Sequence, residues 1–244
     1  MLSTKRGIVR SKYFWSLILV LGVFCFYCEF LSAQLIGSMS TTGNTFFVRP
    51  ATTQFNGDGK GPGEATYNGQ PGKAWKGFAN VKWGLGGVSA GTTLFLIGGE
   101  TYKEQMTIGA SGTLGKPIRI AVTGLDTATI DCENIRNFAF KLNGKNHITI
   151  DGVKGDVLNG DTNYRLKITN LKEGNGAVYD ANGASYIRIL HLDISGTQTS
   201  CLSDAQGGIR ISGKGTNYEV AYCWIHGLHP EVQNRWAAAG IQIW

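Results

Sequence analysis

The sequence predicts an all-β solenoid: a single-stranded parallel β-helix, with a short capping helix in front of its coil of strands. Three observations carry that expectation. One phrase recurs at a fixed period: Gly176-Ala177-Val178-Tyr179, Gly208-Ile209-Arg210-Ile211 and Gly240-Ile241-Gln242-Ile243 begin 32 residues apart. A period in this range marks a stack of repeated units. Within each copy the apolar residues alternate, which is the period of a strand and not of a helix. Glycine is abundant (35 of 244 residues) while proline is scarce (5). Glycine mixed with Val, Ile, Thr and aromatics signals many short strands joined by tight turns. A strand with one apolar face cannot bury it alone. Stacking each turn on the next at about 4.8 Å pairs the backbones and buries that face.

Residues 1–33 read as an export signal, not as part of the fold. Lys5, Arg6, Arg10 and Lys12 form a positive start, Phe14 to Phe24 is a nearly unbroken apolar run, and Leu31-Ser32-Ala33 is a small-residue cleavage site before Gln34. The alternative is an uncleaved anchor, since the apolar run continues to about Phe30. The expectation is a secreted, periplasmic or cell-surface monomer with no stable membrane insertion after cleavage. Bulky Phe26 and Tyr27 argue against a lipid anchor at Cys28.

The net charge of +6 belongs mostly to this signal; without it 19 Lys and Arg face 16 Asp and Glu, a balance of +3. That gives no case for a nucleic-acid partner and leaves room only for a local basic patch. Cys132, Cys201 and Cys223 remain after cleavage. An odd, sparse set on a repetitive scaffold reads as buried small hydrophobes, not a disulfide frame.

Gln34 to Thr45 is a polar leader. Phe46-Phe47-Val48-Arg49-Pro50 is a first strand stopped by proline. The loop from Asn56 to Gly63 is rich in residues that accept positive φ; its single Asp58 makes a solvated turn and is too little for a calcium site. Trp75, Phe78, Ala79 and Lys82 recur at helical spacing, so a short amphipathic helix is expected over 74–83. Strands follow at Thr92 to Ile97, Met106 to Ile108 and Pro117 to Val122.

Here the residues carry a resemblance. The early strand, Gly/Asp loop and short helix precede Ala90-Gly91-Thr92-Thr93-Leu94-Phe95-Leu96 and Gly98-Gly99-Glu100-Thr101-Tyr102. Ser111-Gly112-Thr113 and Gly115-Lys116-Pro117-Ile118 come next. This series resembles the N-terminal half of pectate-lyase-like right-handed parallel β-helix proteins, from about Phe46 onward. The resemblance implies a right-handed coil whose open end is plugged by the helix. It leaves activity open, because polysaccharide lyases, glycoside hydrolases, epimerases, tailspikes and adhesins share the fold.

Later turns of the coil can be traced. Phe138 to Leu142 bends at Asn143-Gly144 into His147 to Val153; Gly176 to Tyr179 bends at Asn182-Gly183 into Ile187 to Gly196; Gly208 to Ile211 bends at Gly213 into Val220 and Ile225. The glycine period stacks Ala177 under Ile209 and Tyr179 under Ile211. A one-residue slide in the next strand sets Ile187 on Val220 and Leu192 on Ile225. Insertions fall at 155–174, 197–206 and 229–237, and insertions of a solenoid collect where binding sites form. The chain stops one strand into a new turn, so 46–244 is expected to be an incomplete domain lacking its C-terminal turns and cap.

The alternation makes Val178 and Asp180, Arg210 and Ser212, Gln242 and Trp244 outward, with Lys141 on the turn before. Such a column suits a sugar chain: an aromatic stacks on a pyranose while Arg, Lys and Gln bond hydroxyls or carboxylates. The candidate substrate-binding residues are Asp180, Gln242, Trp244, Arg235 and Lys141. In lyases of the resembled kind a cation neutralises a uronate carboxylate and a Lys, Arg or His removes the C5 proton. Arg210, Lys214 and His226 are the candidates for those roles, with His229 beside them. Asp180 and Asp204 are the nearby carboxylate pair a hydrolase would need. No metal ligand set is visible, so any use of calcium has no site in the sequence. The expected function is a lyase acting on uronate-containing polysaccharide. The alternatives are a non-catalytic polysaccharide-binding or adhesin β-helix and a glycoside hydrolase.

Overall fold

The computed structural model describes residues 44–124, 126–152, 164–172, 174, 176–196, 207–229 and 239–243. The export signal, most of the leader, Cys201, Asp204, Arg235 and Trp244 lie outside the described residues. What is described is all-β, in three parallel sheets. Sheet I has the spatial order β15 (Tyr218–Ala221), β12 (Ile187–Leu190), β9 (Ile148–Asp151), β6 (Ile118–Thr123), β3 (Thr93–Ile97), β1 (Thr45–Arg49), β2 (Trp75–Lys76). Sheet II runs β16 (Trp224–His226), β13 (Leu192–Gly196), β10 (Leu166–Leu171), β7 (Ala128–Asp131), β4 (Thr101–Tyr102). Sheet III runs β17 (Ala239–Ile243), β14 (Gly207–Ile211), β11 (Gly176–Asp180), β8 (Phe140–Lys141), β5 (Met106–Thr107). From β3 onward the chain visits sheets I, II and III in that order and then begins again.

The inward residues form one ladder per sheet. Phe46, Leu94, Ile120, Ile150, Ile189 and Val220 stack in sheet I. Tyr102, Ile130, Ile168, Ile194 and Ile225 stack in sheet II. Met106, Phe140, Val178, Ile209 and Ile241 stack in sheet III. β-branched side chains fit a pleated, buried surface, which is why these strands favour Ile and Val. Cys132 is fully buried among them as a free thiol, and burial pushes it up to about 12. Burial also raises Cys223, which is free too.

Two expectations are corrected. The register differs by one residue from the glycine count: Gly176 pairs with Gly207, Val178 with Ile209 and Asp180 with Ile211. In the next strands the slid alignment is off by two: Ile187 pairs with Tyr218, Ile189 with Val220 and Ile194 with Ile225. A one-residue slip exchanges the two faces of a strand. Val178 and Asp180 therefore point inward, and Tyr179 points outward. The capping helix over 74–83 is also absent. Trp75 sits in β2 opposite Val48, and only a 3-10 turn forms, at Phe78–Asn80. Gly77 between them has φ 68°, outside the helical region. The Glu104 carboxylate accepts the backbone N–H of Phe78 and of Ala51, both at 2.6 Å. Trp75 and Phe78 are buried all the same, stacked on Phe46 and on Tyr102.

The corners explain several polar residues. Asn143 (φ 57°), His147 (55°), Tyr186 (58°) and His191 (54°) adopt the left-handed conformation that lets the chain turn sharply. Their side chains stack from turn to turn: Asn182 Nδ2 donates to Asn143 Oδ1 at 3.2 Å, and the His147 and Tyr186 rings lie 4.5 Å apart.

Candidate functional site

The outward face of sheet II carries the most chemically organised group. Alternation along β13 and β16 turns Asp193 and Ser195, then Trp224 and His226, away from the core. The registers Asp193 to Trp224 and Ser195 to His226 set them side by side. His226 Nε2 reaches diagonally back to Asp193 Oδ1 at 2.9 Å. Lys167, one strand earlier and paired with Asp193, places its Nζ 3.8 Å from Asp193 Oδ2. The Trp224 ring stacks on His226 with centroids 4.0 Å apart, and Tyr164 adds a second ring 6.4 Å from Trp224. Asp193 is 8% exposed while Trp224 is 53% exposed. A nearly enclosed carboxylate thus orients an imidazole beside an open aromatic platform. With Nε2–H bonded to Asp193, the lone pair on Nδ1 is left to act as a base.

A second Asp–His pair lies at the end of sheet I. Asp151 accepts from Arg119 Nη2 at 2.7 Å and pairs with His191 Nδ1 at 3.1 Å. Tyr222 stacks over His191 at 5.0 Å. Here the His side chain is 16% exposed, against 35% for His226, and Arg119 already neutralises the carboxylate. This pair ties neighbouring strands of sheet I together and offers a substrate less access.

Sheet III carries an outward column in which Tyr179 stands where Val178 and Asp180 were expected. Thr107, Lys141, Tyr179, Arg210 and Gln242 follow one another across adjacent strands. The Arg210 stem lies against Gly176 and Gly207, where an added Cβ would sit 3.1 Å from its Cγ and 2.4 Å from its Cδ. Lys141 Nζ stands 6.0 Å over the Phe138 ring, which stacks on Tyr179.

Asp180 does not belong to this column. It is fully buried, and its carboxylate accepts the backbone N–H of Gly144 (2.8 Å), Asn182 (3.2 Å) and Ala184 (2.8 Å). It builds the corner and is closed to a ligand. Lys214 is exposed in the turn that leads from sheet III back to sheet I, outside the column. Of the three candidate catalytic residues, Arg210 thus lies on sheet III, Lys214 on a turn and His226 on sheet II. Arg235 and Trp244 lie outside the described residues. Asp58 also serves its loop: burial raises its carboxyl, but backbone N–H donors including Lys60 and Lys73 outweigh that and lower it. Among the described residues no group of three His, Cys, Asp or Glu side chains is placed to hold a metal ion.

Sequence reasoning missed Asp193, Lys167, Trp224 and Tyr164. A signal for the first three existed: polar and aromatic residues at alternate positions of three strands that share one sheet. It becomes readable only with the register.

No protein family matches this chain, and neither the curated proteins nor the solved structures give a match. Among the described residues no helix is long and apolar enough to cross a membrane.

Proposed function

We propose that the chain is a right-handed parallel β-helix of the pectate-lyase-like kind, exported from the cell, that cleaves uronate-containing polysaccharide by β-elimination on the outward face of sheet II. The handedness rests on the strong right-handed rule for crossovers between parallel strands. The observation that carries the activity is the His226–Asp193 pair beside Trp224. In this reading the sugar stacks on Trp224 and its carboxylate meets Lys167, whose charge acidifies the C5 proton. His226 Nδ1 takes that proton. The electron pair left on C5 forms the C4–C5 double bond, and the C4–O bond breaks. Its electrons leave with the glycosidic oxygen, which takes a proton from solvent. Asp193 holds the imidazole in the tautomer that makes Nδ1 basic and stabilises the imidazolium that forms. Arg210 and Lys141 on sheet III keep a binding role for the acidic chain beyond the reacting sugar.

The test is incubation with polygalacturonate and alginate, following ultraviolet absorbance and reducing ends together. A lyase raises both. Reducing ends without absorbance would make the chain a hydrolase. Retardation in a polysaccharide gel without either product would make it a binding module.

A further inference from the structure

We infer that a second saccharide site lies in the open cleft between the first turns of sheets II and III, and that it takes uncharged pyranose units. The cleft encloses about 700 Å³ and is walled by Trp83, Lys103, Gln105, Thr107, Arg136 and Asn137. Its charges cancel. Lys103 Nζ and Arg136 Nη1 both reach the Glu133 carboxylate, at 2.8 and 2.6 Å. Those hydrogen bonds, from Lys103 and then Arg136, hold the Glu133 carboxyl below its ordinary range. Glu104 also borders the cleft, but its oxygens are occupied by the Ala51 and Phe78 amides. Two cations therefore face two carboxylates, and no surplus charge is left for an anion.

The remaining groups are the Trp83 ring, apolar Phe78, Ala79, Val81 and Ile135, and three neutral hydrogen-bonding side chains. Gln105, Thr107 and Asn137 are exposed and supply amide and hydroxyl donors and acceptors. Trp83 packs on Gly109: a Cβ there would lie 2.5 Å from its Cγ, so only glycine lets the indole rest on the backbone. A ring seated on the backbone beside uncharged polar groups matches the apolar face and hydroxyls of a neutral sugar. Thr107 also begins the outward column of sheet III, so a chain leaving the cleft meets Lys141 next. Three strand spacings, about 14 Å, separate β4 at the cleft from β13 in the sheet II cluster. If that cluster binds uronate as proposed above, the polymer is a heteropolysaccharide carrying neutral and acidic sugars within that span. This part rests on the proposed function; the preference of the cleft for neutral sugar does not.

Fluorine NMR of the full chain labelled with fluorotryptophan reads the two sites separately. The Trp83 and Trp224 resonances are assigned from Trp83→Phe and Trp224→Phe. Xylohexaose, cellohexaose and mannohexaose are titrated first, then hexagalacturonate. We expect a neutral hexasaccharide to move the Trp83 resonance saturably and hexagalacturonate to leave it in place. The double variant Gln105→Ala/Asn137→Ala, altered only at exposed side chains, should bind about tenfold more weakly. A Trp83 resonance that none of the neutral sugars moves, or that hexagalacturonate moves, overturns the inference. Neutral-sugar binding left unchanged in the double variant overturns it as well. A Trp224 resonance that stays still with hexagalacturonate counts against the uronate site alone.

Discussion

Asp180 shows how much one residue of register decides. Read by alternation from the glycines it faces solvent as a sugar ligand; in the fold it is buried and caps three backbone amides. Nothing in the local sequence separates the two readings, because a charged residue at a strand end suits either a solvated face or a corner. The structural role has a measurable cost. Asp180→Ala leaves three amides without their acceptor and should destabilise the fold by about 3 kcal/mol or more. The shift of the urea midpoint gives that value; a change below about 1 kcal/mol would contradict the buried role. Cys132 gives a second prediction at this scale. Its thiol is raised from 9.0 to about 12 by burial. In the unfolded chain it ionises at its ordinary value, so the preference for the folded state is complete below pH 9 and lost progressively between pH 9 and 12. Cys132→Ala should flatten that part of the alkaline stability curve while lowering stability at neutral pH. An equally steep alkaline loss in the variant would show that other groups cause it.

Among elements, the strands were legible and their offsets were not. The ladders of Ile, Val and Leu follow directly from alternation and β-propensity. The Asn-Gly corners follow from residues that tolerate positive φ. The expected helix failed because Trp75 and Phe78 are buried whatever the backbone does, so their spacing could not tell a helix from a strand followed by a turn. Gly77 was the contrary signal. The register failed because Gly207 and Gly208 stand side by side, and the sequence does not say which of them pairs with Gly176. The structure separates their roles. A Cβ on Gly208 would lie 2.4 Å from the Gly240 carbonyl oxygen and 2.6 Å from Ile225 Cγ2. Gly208→Ala should therefore cost about 1–3 kcal/mol through backbone overpacking. Among the described residues, the atoms nearest a Cβ on Gly207 belong to the flexible Arg210 stem. Gly207→Ala should leave thermal stability within about 1 kcal/mol of the parent while moving Arg210 and weakening retention on polyuronate gels. Equal destabilisation by the two substitutions would contradict the register.

Across the described residues, three parallel sheets present three different surfaces. Sheet I ties its turns with ion pairs such as Arg188–Glu219, at 2.6 Å. Sheet III displays the Lys141–Tyr179–Arg210–Gln242 column, and sheet II displays the imidazole, its carboxylate and the aromatic platform. His226 was a candidate from the sequence because histidine is the side chain suited to proton transfer near neutrality. Its partners were not, since Asp193 and Lys167 lie on other strands and meet it only through the register of sheet II. The most direct test is the initial rate at which ultraviolet-absorbing product forms from the uronate polymer that the chain retains best, with wild type and His226→Ala side by side. The parent should release product, and His226→Ala should be slower by about a hundredfold or more, with retention on the polymer unchanged. A variant as fast as the parent, or a parent that releases no such product, would contradict the placement of an eliminating site on sheet II.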